Sequence, residues 1–268
     1  MLVKAPAKIN LHLEVINKRK DGFHELKTAF QLVNLYDEIS FTVSRDIIEL
    51  KETSKEIKDN LILRAALMLK EKTNSTKGVT ISLNKKIPIQ RGLGGGSSDA
   101  AATLIALNFL WKTNLTKKEL LKIALELGSD VPFFIHGQAA WAEGRGEKFF
   151  NLRLNPEWYL LAFPRTKIST KYAFEDFVLH SKNNITLKEF LSGKTVNSFT
   201  KWALSKYPEI KKTYSLLENV GLPRLSGTGS TLFVSFSKKE KAERALRKYP
   251  DGVLVKSLDH SPLRQFIE

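Results

Sequence analysis

The most informative absence in this sequence is cysteine, which does not occur among its 268 residues. A chain without cysteine has no disulfides and no thiolate metal ligands, and it fits a reducing compartment. The sequence also lacks an apolar run of about 18 residues, the length that a membrane-spanning helix needs. It has no basic-then-apolar leader either. We therefore expect a cytoplasmic protein with no membrane partner.

Acidic residues are scarce relative to basic ones: 28 against 43, for a formal charge of +15. Such an excess can indicate a nucleic-acid or anionic membrane partner. Here the lysines are mixed with glutamates, as in 51–56 and 239–241, which is typical of solvated helix faces. A basic protein also suits a small anionic substrate. Charge alone therefore does not separate an enzyme from a nucleic-acid-binding module.

The chain contains no internal repeat and no Pro/Ser-rich linker. Its length fits one or two domains with a sizeable core, and we place a boundary near residue 150, giving domains 1–150 and 151–268. Alternating or continuous apolar residues predict strands, and apolar residues at helical spacing predict helices. The predicted strands are 9–15, 28–35, 39–43, 79–83, 158–163, 232–236 and 252–256. The predicted helices are 61–72, 100–111, 116–128, 199–206, 209–219 and 238–248.

A glycine-rich stretch at 88–102 lies between the predicted strand 79–83 and the buried helix 100–111. A glycine-rich turn that opens into a helix leaves free backbone N–H groups and the positive end of the helix dipole facing one point. A simple capped turn is the alternative interpretation. Four glycines exceed what a turn needs, because each costs about 1 kcal/mol of ordering relative to alanine. The stretch therefore predicts a phosphate site.

Spacing excludes two common phosphate loops. A Walker loop needs Lys and then Ser or Thr after its last glycine, but Gly96 is followed by Ser97 and Ser98. The dinucleotide pattern G-x-G-x-x-G begins at Gly92 but has serine at its third glycine position, and no acidic residue follows at the required distance.

Three further residues have ordinary structural explanations when they are judged from spacing alone. Spacing alone predicts that Lys8, at the start of a strand, is an exposed edge lysine and that His24, after an Asp-Gly turn, is a surface residue. Asp130, two positions before Pro132, has the pattern of a helix N-cap. An aspartate in that position can still direct an oxygen at a ligand.

The pattern Pro-x-x-x-Gly-Leu-Gly-Gly-Gly-Ser-Ser-Asp-Ala-Ala at 88–101 resembles the phosphate loop of the GHMP kinase superfamily. Segments 5–11 and 225–233 resemble its N-terminal and C-terminal motifs. The Asp-Gly-Phe-His turn at 21–24 resembles one branch, which phosphorylates a hydroxyl of a cytidyl diphosphate-linked methylerythritol in the non-mevalonate isoprenoid pathway. Homoserine- and mevalonate-type kinases are the alternatives, although they have no use for a histidine in that turn. A basic nucleic-acid-binding module is a more distant alternative, with no need for the loop.

The resemblance implies an α+β fold of two domains, with mixed or antiparallel sheets and the active site in the cleft between them. It implies ATP and Mg²⁺ as cofactors and a small molecule, not a nucleic acid, as partner. Lys8 and Asp130 match the catalytic pair, and no residue is assigned as a metal ligand. The residues expected to bind ATP are Pro88, Gly92, Leu93, Gly94, Gly95, Gly96, Ser97 and Ser98.

The same resemblance assigns His24 to the cytosine edge and Asn10 to the methylerythritol or diphosphate portion. Phe23 and either Tyr172 or Phe174 are candidates to stack on cytosine, and spacing does not separate the last two. The residues expected to close over the substrate are Gly227, Thr228 and Gly229. The chain departs from the family pattern at Phe23, where tyrosine is commoner, at Asn197–Thr200 and at Ser230.

Overall fold

The structure, a computed structural model, describes residues 1–52, 60–179 and 183–267. Within these ranges it has ten strands and nine α-helices. The strands are β1 Leu2–Lys18, β2 His24–Ser44, β3 Ile48–Glu52, β4 Gly78–Asn84, β5 Ala140–Gly144, β6 Lys148–Asn151, β7 Trp158–Ala162, β8 Arg224–Leu225, β9 Leu232–Phe236 and β10 Val253–Lys256. The helices are α1 Leu61–Thr73, α2 Gly95–Trp111, α3 Lys117–Leu127, α4 Val131–His136, α5 Thr170–Asp176, α6 Leu187–Leu191, α7 Phe199–Lys206, α8 Pro208–Glu218 and α9 Lys239–Lys248.

The first sheet is mixed and is built around β2. Strand β1 pairs antiparallel with β2 along most of its length, while β4 and β5 pair with different segments of β2. Among the described strands of this sheet, the one parallel pairing joins β3 to β4. Helix α2 packs against β1 and against the other three helices of this half. Its residues 98–107 are all buried, so the Ala- and Leu-rich run forms the buried helix that its composition predicts.

The second sheet is antiparallel throughout, in the order β10-β7-β9-β8. It carries its own core, in which Phe199 of α7 and Ile210 of α8 pack against the strands. A further apolar cluster joins the two sheets, with Ile9 of β1 in the same cluster as Leu161 of β7 and Phe233 of β9. The α+β architecture with mixed and antiparallel sheets is therefore confirmed.

Strand β1 is buried on both faces. Its apolar residues alternate as predicted, but the intervening polar residues Asn10, His12 and Glu14 are also buried. Each has a partner in the second half of the chain. For example, the carboxylate of Glu14 accepts the backbone N–H groups of Asn184 and Ile185 at 2.6 and 2.9 Å. The polar face of β1 thus connects the two halves of the molecule.

The segment after β10 returns to the first half. Backbone N–H of Ser261 donates to the carbonyl of Gly137 at 2.7 Å, and Leu263 is buried in the core around α2. The predicted boundary near residue 150 falls at the end of β6, and the exact division into 1–150 and 151–268 stays a prediction.

Local sequence patterns predicted most helices and strands correctly. Asn60 caps α1 by accepting the Ile62 N–H at 2.8 Å, and Thr116 forms the predicted capping box with Glu119. Strand β2 is continuous where two segments were predicted, because the polar Asp37 between them is buried and accepts backbone N–H groups. Helices α5 and α6 lie in a basic segment for which no element was predicted.

No helix in the described ranges is both long enough and apolar enough to span a membrane.

Candidate active site

A cavity of about 700 Å³ opens between the two halves of the molecule, and residues of both halves form its wall. It brings together most of the residues that the sequence analysis selected from separate segments. Those at the wall are Lys8, Asn10, Phe23, His24, Pro88, Gly92, Leu93, Gly94, Gly95, Gly96, Ser97, Asp130, Phe174, Gly227 and Thr228. Three selected residues are not part of the wall: Ser98, Tyr172 and Gly229.

The glycine-rich loop ends at the N-terminus of α2, at the cavity wall. Gly94 is the N-cap residue and has a left-handed backbone with φ of 69°. Because the first turn of a helix has no intrahelical partners for its N–H groups, those of residues 95–97 are available to a ligand. The first turn contains no acidic side chain. The loop therefore has the geometry of an anion site.

Gly92 shows why the loop needs glycine at that position. Its φ of 75° is left-handed, and a Cβ there would lie 2.1 Å from the carbonyl oxygen of Ser226. The loop thus touches the backbone of a segment more than a hundred residues away. Ser226 also donates its hydroxyl to the carbonyl of Gly92 at 2.9 Å and accepts the backbone N–H of Asn10 at 3.3 Å.

Lys8 and Asp130 face each other across the cavity wall. Lys8 Nζ lies 3.4 Å from Asp130 Oδ2 and donates to Asn10 Oδ1 at 2.6 Å. The Lys8 side chain is 3% exposed, whereas that of Asp130 is 39% exposed. Asp130 precedes α4, but its side chain makes no capping hydrogen bond. Its carboxylate is therefore directed to Lys8 and the cavity instead of the helix end.

Asn10 holds the Lys8 ammonium through a chain of hydrogen bonds. Its amide Nδ2 donates to the hydroxyl of Thr28 at 2.9 Å, and that hydroxyl donates to the carbonyl of His12 at 2.7 Å. This chain fixes the amide so that its oxygen, not its nitrogen, faces Lys8. Sequence reasoning assigned Asn10 to the substrate and missed this role toward Lys8.

An aromatic wall lies at the Asp-Gly-Phe-His turn. The His24 ring lies 5.0 Å from the ring of Phe174 of α5, between centroids. Burial lowers the pKa of His24, so its ring is neutral at pH 7 and offers one donor and one acceptor. Tyr172, the other stacking candidate, is 41% exposed, and its hydroxyl bonds Asp176 and Lys206 outside the cavity.

A buried ionic cluster next to the loop was missed by sequence reasoning. Lys85 Nζ bonds Asp99 Oδ2 at 2.8 Å and also bonds Asp37. Burial raises the pKa of Asp99 to about 7. Burial alone would lower the pKa of Lys85, but the two carboxylates outweigh it and hold that pKa above its ordinary value. Asp99 lies within the loop motif itself, which was the available signal.

The segment 225–231 reaches the cavity from the second half. Asn197 holds it by donating Nδ2 to the carbonyl oxygens of Leu225 and Gly227, at 2.8 and 2.9 Å. Gly227 and Thr228 face the cavity, whereas Gly229 packs near Ile168 and Leu225. Ser98, the other loop residue absent from the wall, is buried in α2.

Two family models match the chain: that of the GHMP kinase N-terminal domain over residues 60–138 and that of the GHMP kinase C-terminal domain over residues 179–253. The 4-diphosphocytidyl-2-C-methyl-D-erythritol kinase of Pasteurella multocida (strain Pm70) is 39% identical, over 98% of this chain and 91% of its own. The enzyme of the same name from Shewanella sp. (strain W3-18-1) is 41% identical, over 97% and 94%.

Solved structures that resemble this chain are also GHMP kinases. A 4-(cytidine 5'-diphospho)-2C-methyl-D-erythritol kinase superposes with a TM-score of 0.78 at 34% identity, covering 97% of this chain and 100% of the other. A mevalonate kinase superposes with a TM-score of 0.72 at 14% identity, covering 97% and 100%, and shares the fold. This chain therefore belongs to the GHMP kinases and, among them, to the 4-diphosphocytidyl-2-C-methyl-D-erythritol kinase family.

Proposed function

We propose that this protein transfers the γ-phosphoryl group of ATP to the 2-hydroxyl of 4-diphosphocytidyl-2-C-methyl-D-erythritol, a step of the non-mevalonate route to isoprenoid precursors. The observation that carries the proposal is one cavity lined by three features. These are a helix N-terminus with a glycine-rich loop, the Lys8–Asp130 pair, and the aromatic wall of His24 and Phe174. The family membership supports the same activity.

ATP would bind with its phosphates at the N-terminus of α2. The N–H groups of residues 95–97 and the helix dipole would stabilise the negative charge of the phosphates. The Ser97 hydroxyl lies at the cavity wall and can add a further hydrogen bond. Because phosphoryl transfer depends mainly on positioning and charge stabilisation, a rigid loop of this kind is well suited to it.

Asp130 would accept the proton of the acceptor hydroxyl. The hydroxyl oxygen then bonds to the γ-phosphorus, the bond between that phosphorus and the β,γ-bridging oxygen breaks, and ADP leaves. Lys8, at 3.4 Å from Asp130, would stabilise the developing negative charge on the hydroxyl oxygen and hold the carboxylate in place. A free alcohol is a very weak acid, so a nearby cation is needed for this step.

The acceptor would lie between the aromatic wall and the Lys8–Asp130 pair. A neutral His24 can recognise the edge of cytosine, because that edge presents both donors and acceptors. Phe23 and Phe174 are the rings at the cavity wall that can stack on the base. Gly227 and Thr228 would contact the substrate from the second half, and Asn10 would do so next to Lys8.

Mg²⁺ fits this site as an ion carried chiefly by the ATP phosphates. Within the described residues, no group of three or more His, Cys, Asp or Glu side chains could hold a metal ion. Mg²⁺ commonly takes one or two protein oxygens and completes its shell with phosphates and water. One oxygen of Asp99 is buried without a hydrogen-bond partner, and Asp99 and Ser97 would supply the protein's oxygens. The ion would spread the charge of the phosphates.

The test is ADP release with Mg-ATP and the cytidyl substrate, with mevalonate and homoserine assayed in parallel. We expect turnover with the cytidyl substrate alone. Asp130→Asn should lower kcat by about 10²–10⁴-fold, the usual contribution of a general base. Asp251→Asn, an exposed aspartate in the second half, is the matched control and should retain full activity. Turnover with mevalonate or homoserine instead would overturn the assignment of the acceptor.

A further inference from the structure

The turn between β5 and β6 places an arginine at the cavity wall. Gly144 and Gly146 both have left-handed φ values, of 78° and 104°, and Arg145 lies between them. Gly144 pairs with Leu26 of β2, so the turn lies beside the segment that carries Phe23 and His24. Arg145 lines the same cavity as those two residues.

The Arg145 guanidinium is stacked on the ring of Phe23, with its carbon 3.5 Å from the ring centroid. Its Nε is buried and has no hydrogen-bond partner. The carboxylate of Glu147 accepts the backbone N–H of Arg145, at 2.6 Å, instead of pairing with the guanidinium. In the parts of the chain that the structure describes, no carboxylate forms an ion pair with Arg145. Asp21, in the neighbouring turn, is paired with Arg19 at 3.1 Å. Desolvation alone would raise the pKa of Asp21, but the Phe23 N–H, Arg19 and, at longer range, the charge of Arg145 together lower it.

Three other cations at the cavity wall, Lys8, Lys85 and Arg91, have polar partners. Lys8 is paired with Asp130 at 3.4 Å, Lys85 with Asp99 at 2.8 Å, and Arg91 donates to the carbonyl of Arg165 at 3.3 Å. Arg145 differs, because its side-chain contact is the face of an aromatic ring. That contact orients the guanidinium plane and leaves the buried Nε without a hydrogen-bond partner. A planar fork of donors matches the oxygens of a phosphate group.

We propose that Arg145 binds the diphosphate group of the acceptor substrate. The inference rests on the proposed function, in which the base lies at Phe23 and His24 and the reacting hydroxyl lies at Lys8 and Asp130. The diphosphate joins these two portions and must cross the cavity between them. Stacking on Phe23 holds the guanidinium at the base-binding end of that path. The ligand class that Arg145 selects is a nucleoside diphosphate, in preference to the uncharged nucleoside.

The test compares the binding of CDP and cytidine by calorimetry, with the ATP site saturated by a non-hydrolysable ATP analogue. The variants are Arg145→Gln and, as a matched control, Arg153→Gln, which replaces an exposed arginine just beyond the same hairpin. We expect Arg145→Gln to raise the Kd for CDP about 10- to 100-fold, as for loss of a charge-assisted hydrogen bond. Its Kd for cytidine should not change. Arg153→Gln should leave both constants unchanged.

Two results would overturn the proposal. If Arg145→Gln weakens CDP and cytidine equally, the side chain only supports the ring of Phe23. If neither constant changes, Arg145 does not contact the acceptor. Arg145→Lys, which restores the charge without the planar fork, should recover part of the CDP affinity.

Steady-state kinetics separates this proposal from the proposed function. With Arg145→Gln, the KM for the cytidyl substrate should rise while kcat is nearly retained. An unchanged KM in the variant, with normal wild-type turnover, would refute the role of Arg145 alone. Absence of wild-type turnover with the cytidyl substrate would instead refute the proposed function.

Discussion

Lys8 and Asp130 form a pair whose members differ sharply in burial: their charged atoms are 3.4 Å apart, yet the lysine side chain is 3% exposed and the aspartate side chain 39%. The lysine is held from behind by Asn10 at 2.6 Å. The aspartate keeps one side open to the cavity, where a substrate hydroxyl can reach it. A fixed cation behind an accessible carboxylate is the arrangement that proton abstraction from an alcohol requires.

Replacing Lys8 by methionine should therefore impair the chemical step more than binding. We expect kcat to fall by about 10²–10³-fold, the effect of removing one electrostatic stabiliser, while the KM for ATP changes little. Lys4→Met, an exposed lysine on the same strand, should leave kcat unaffected. Because Lys8 and Asp130 act as a unit, the Lys8→Met/Asp130→Asn double variant should lose much less than the product of the two single losses. Full additivity would refute the pairing.

Phe174 and Tyr172 are two residues apart but have different surroundings, so they offer a matched comparison. Phe174→Leu should raise the KM for the cytidyl substrate by about 5- to 150-fold, as expected for loss of stacking on a base. Tyr172→Leu should leave that KM unchanged, since its hydroxyl bonds Asp176 and Lys206 at the surface. Equal effects of the two variants on KM would contradict the position of the cytosine at the aromatic wall.

Gly92→Ala should destabilise the protein and weaken ATP binding together. The new Cβ would lie 2.1 Å from the carbonyl oxygen of Ser226, in addition to the strain of a φ of 75°. Gly193→Ala is the control, because its φ of 98° is also left-handed but no atom lies within 4 Å of the new Cβ. The control should cost about 1–2 kcal/mol in free energy of unfolding. If Gly92→Ala is as stable as Gly193→Ala, the loop must shift to accommodate the new Cβ, and the close contact with Ser226 is not restrictive.

The buried Asp99 predicts a pH dependence of stability. Burial raises its pKa to about 7, above the ordinary value of about 4. Between these values the folded chain holds a proton that the unfolded chain has released. The contribution of this group to stability therefore decreases as the pH rises from about 4 to about 7.

The Asp99→Asn variant has no titrating group at this position. As the pH rises from about 4 to about 7, its free energy of unfolding should therefore increase relative to that of the wild type, by at most about 1.4 kcal/mol per pH unit. Urea denaturation across the interval measures the difference between the two proteins. Asp251→Asn, at an exposed position, should show a constant difference from the wild type. A constant difference for Asp99→Asn would indicate that its pKa is the same in both states.

Much of this molecule could be predicted from local patterns. The glycine-rich loop before a helix was recognisable because an anion site at a helix N-terminus needs glycines and a helix in direct succession, and both are contiguous in the sequence; that it binds ATP stays a prediction. The caps at Asn60 and Thr116 were recognisable for the same reason. Helices α5 and α6 were not, since they have seven and five residues, too few for the spacing of their apolar residues to indicate a helix.

Long-range contacts explain the rest. Nothing local indicates that Lys85 pairs with Asp37, a residue 48 positions away. The burial of Lys8 was likewise unexpected, because its neighbours come from distant segments: Phe30 of β2, Leu93 of the glycine-rich loop and Asp130 before α4. Asp130 matched a capping pattern, and only the fold decides that its carboxylate faces Lys8 instead of the helix.

The double hydrogen bond of Ser226, to Asn10 and to the carbonyl of Gly92, has a thermodynamic consequence. It ties segment 225–231, proposed to contact the acceptor, to the glycine-rich loop, proposed to contact ATP, so a shift of either segment on ligand binding would displace the other. If ATP and the acceptor bind as proposed, their affinities would be coupled: the factor by which ATP changes the affinity for the acceptor would equal the factor by which the acceptor changes the affinity for ATP. Ser226 would then be the residue through which the binding of ATP and the binding of the acceptor contribute to a common coupling free energy.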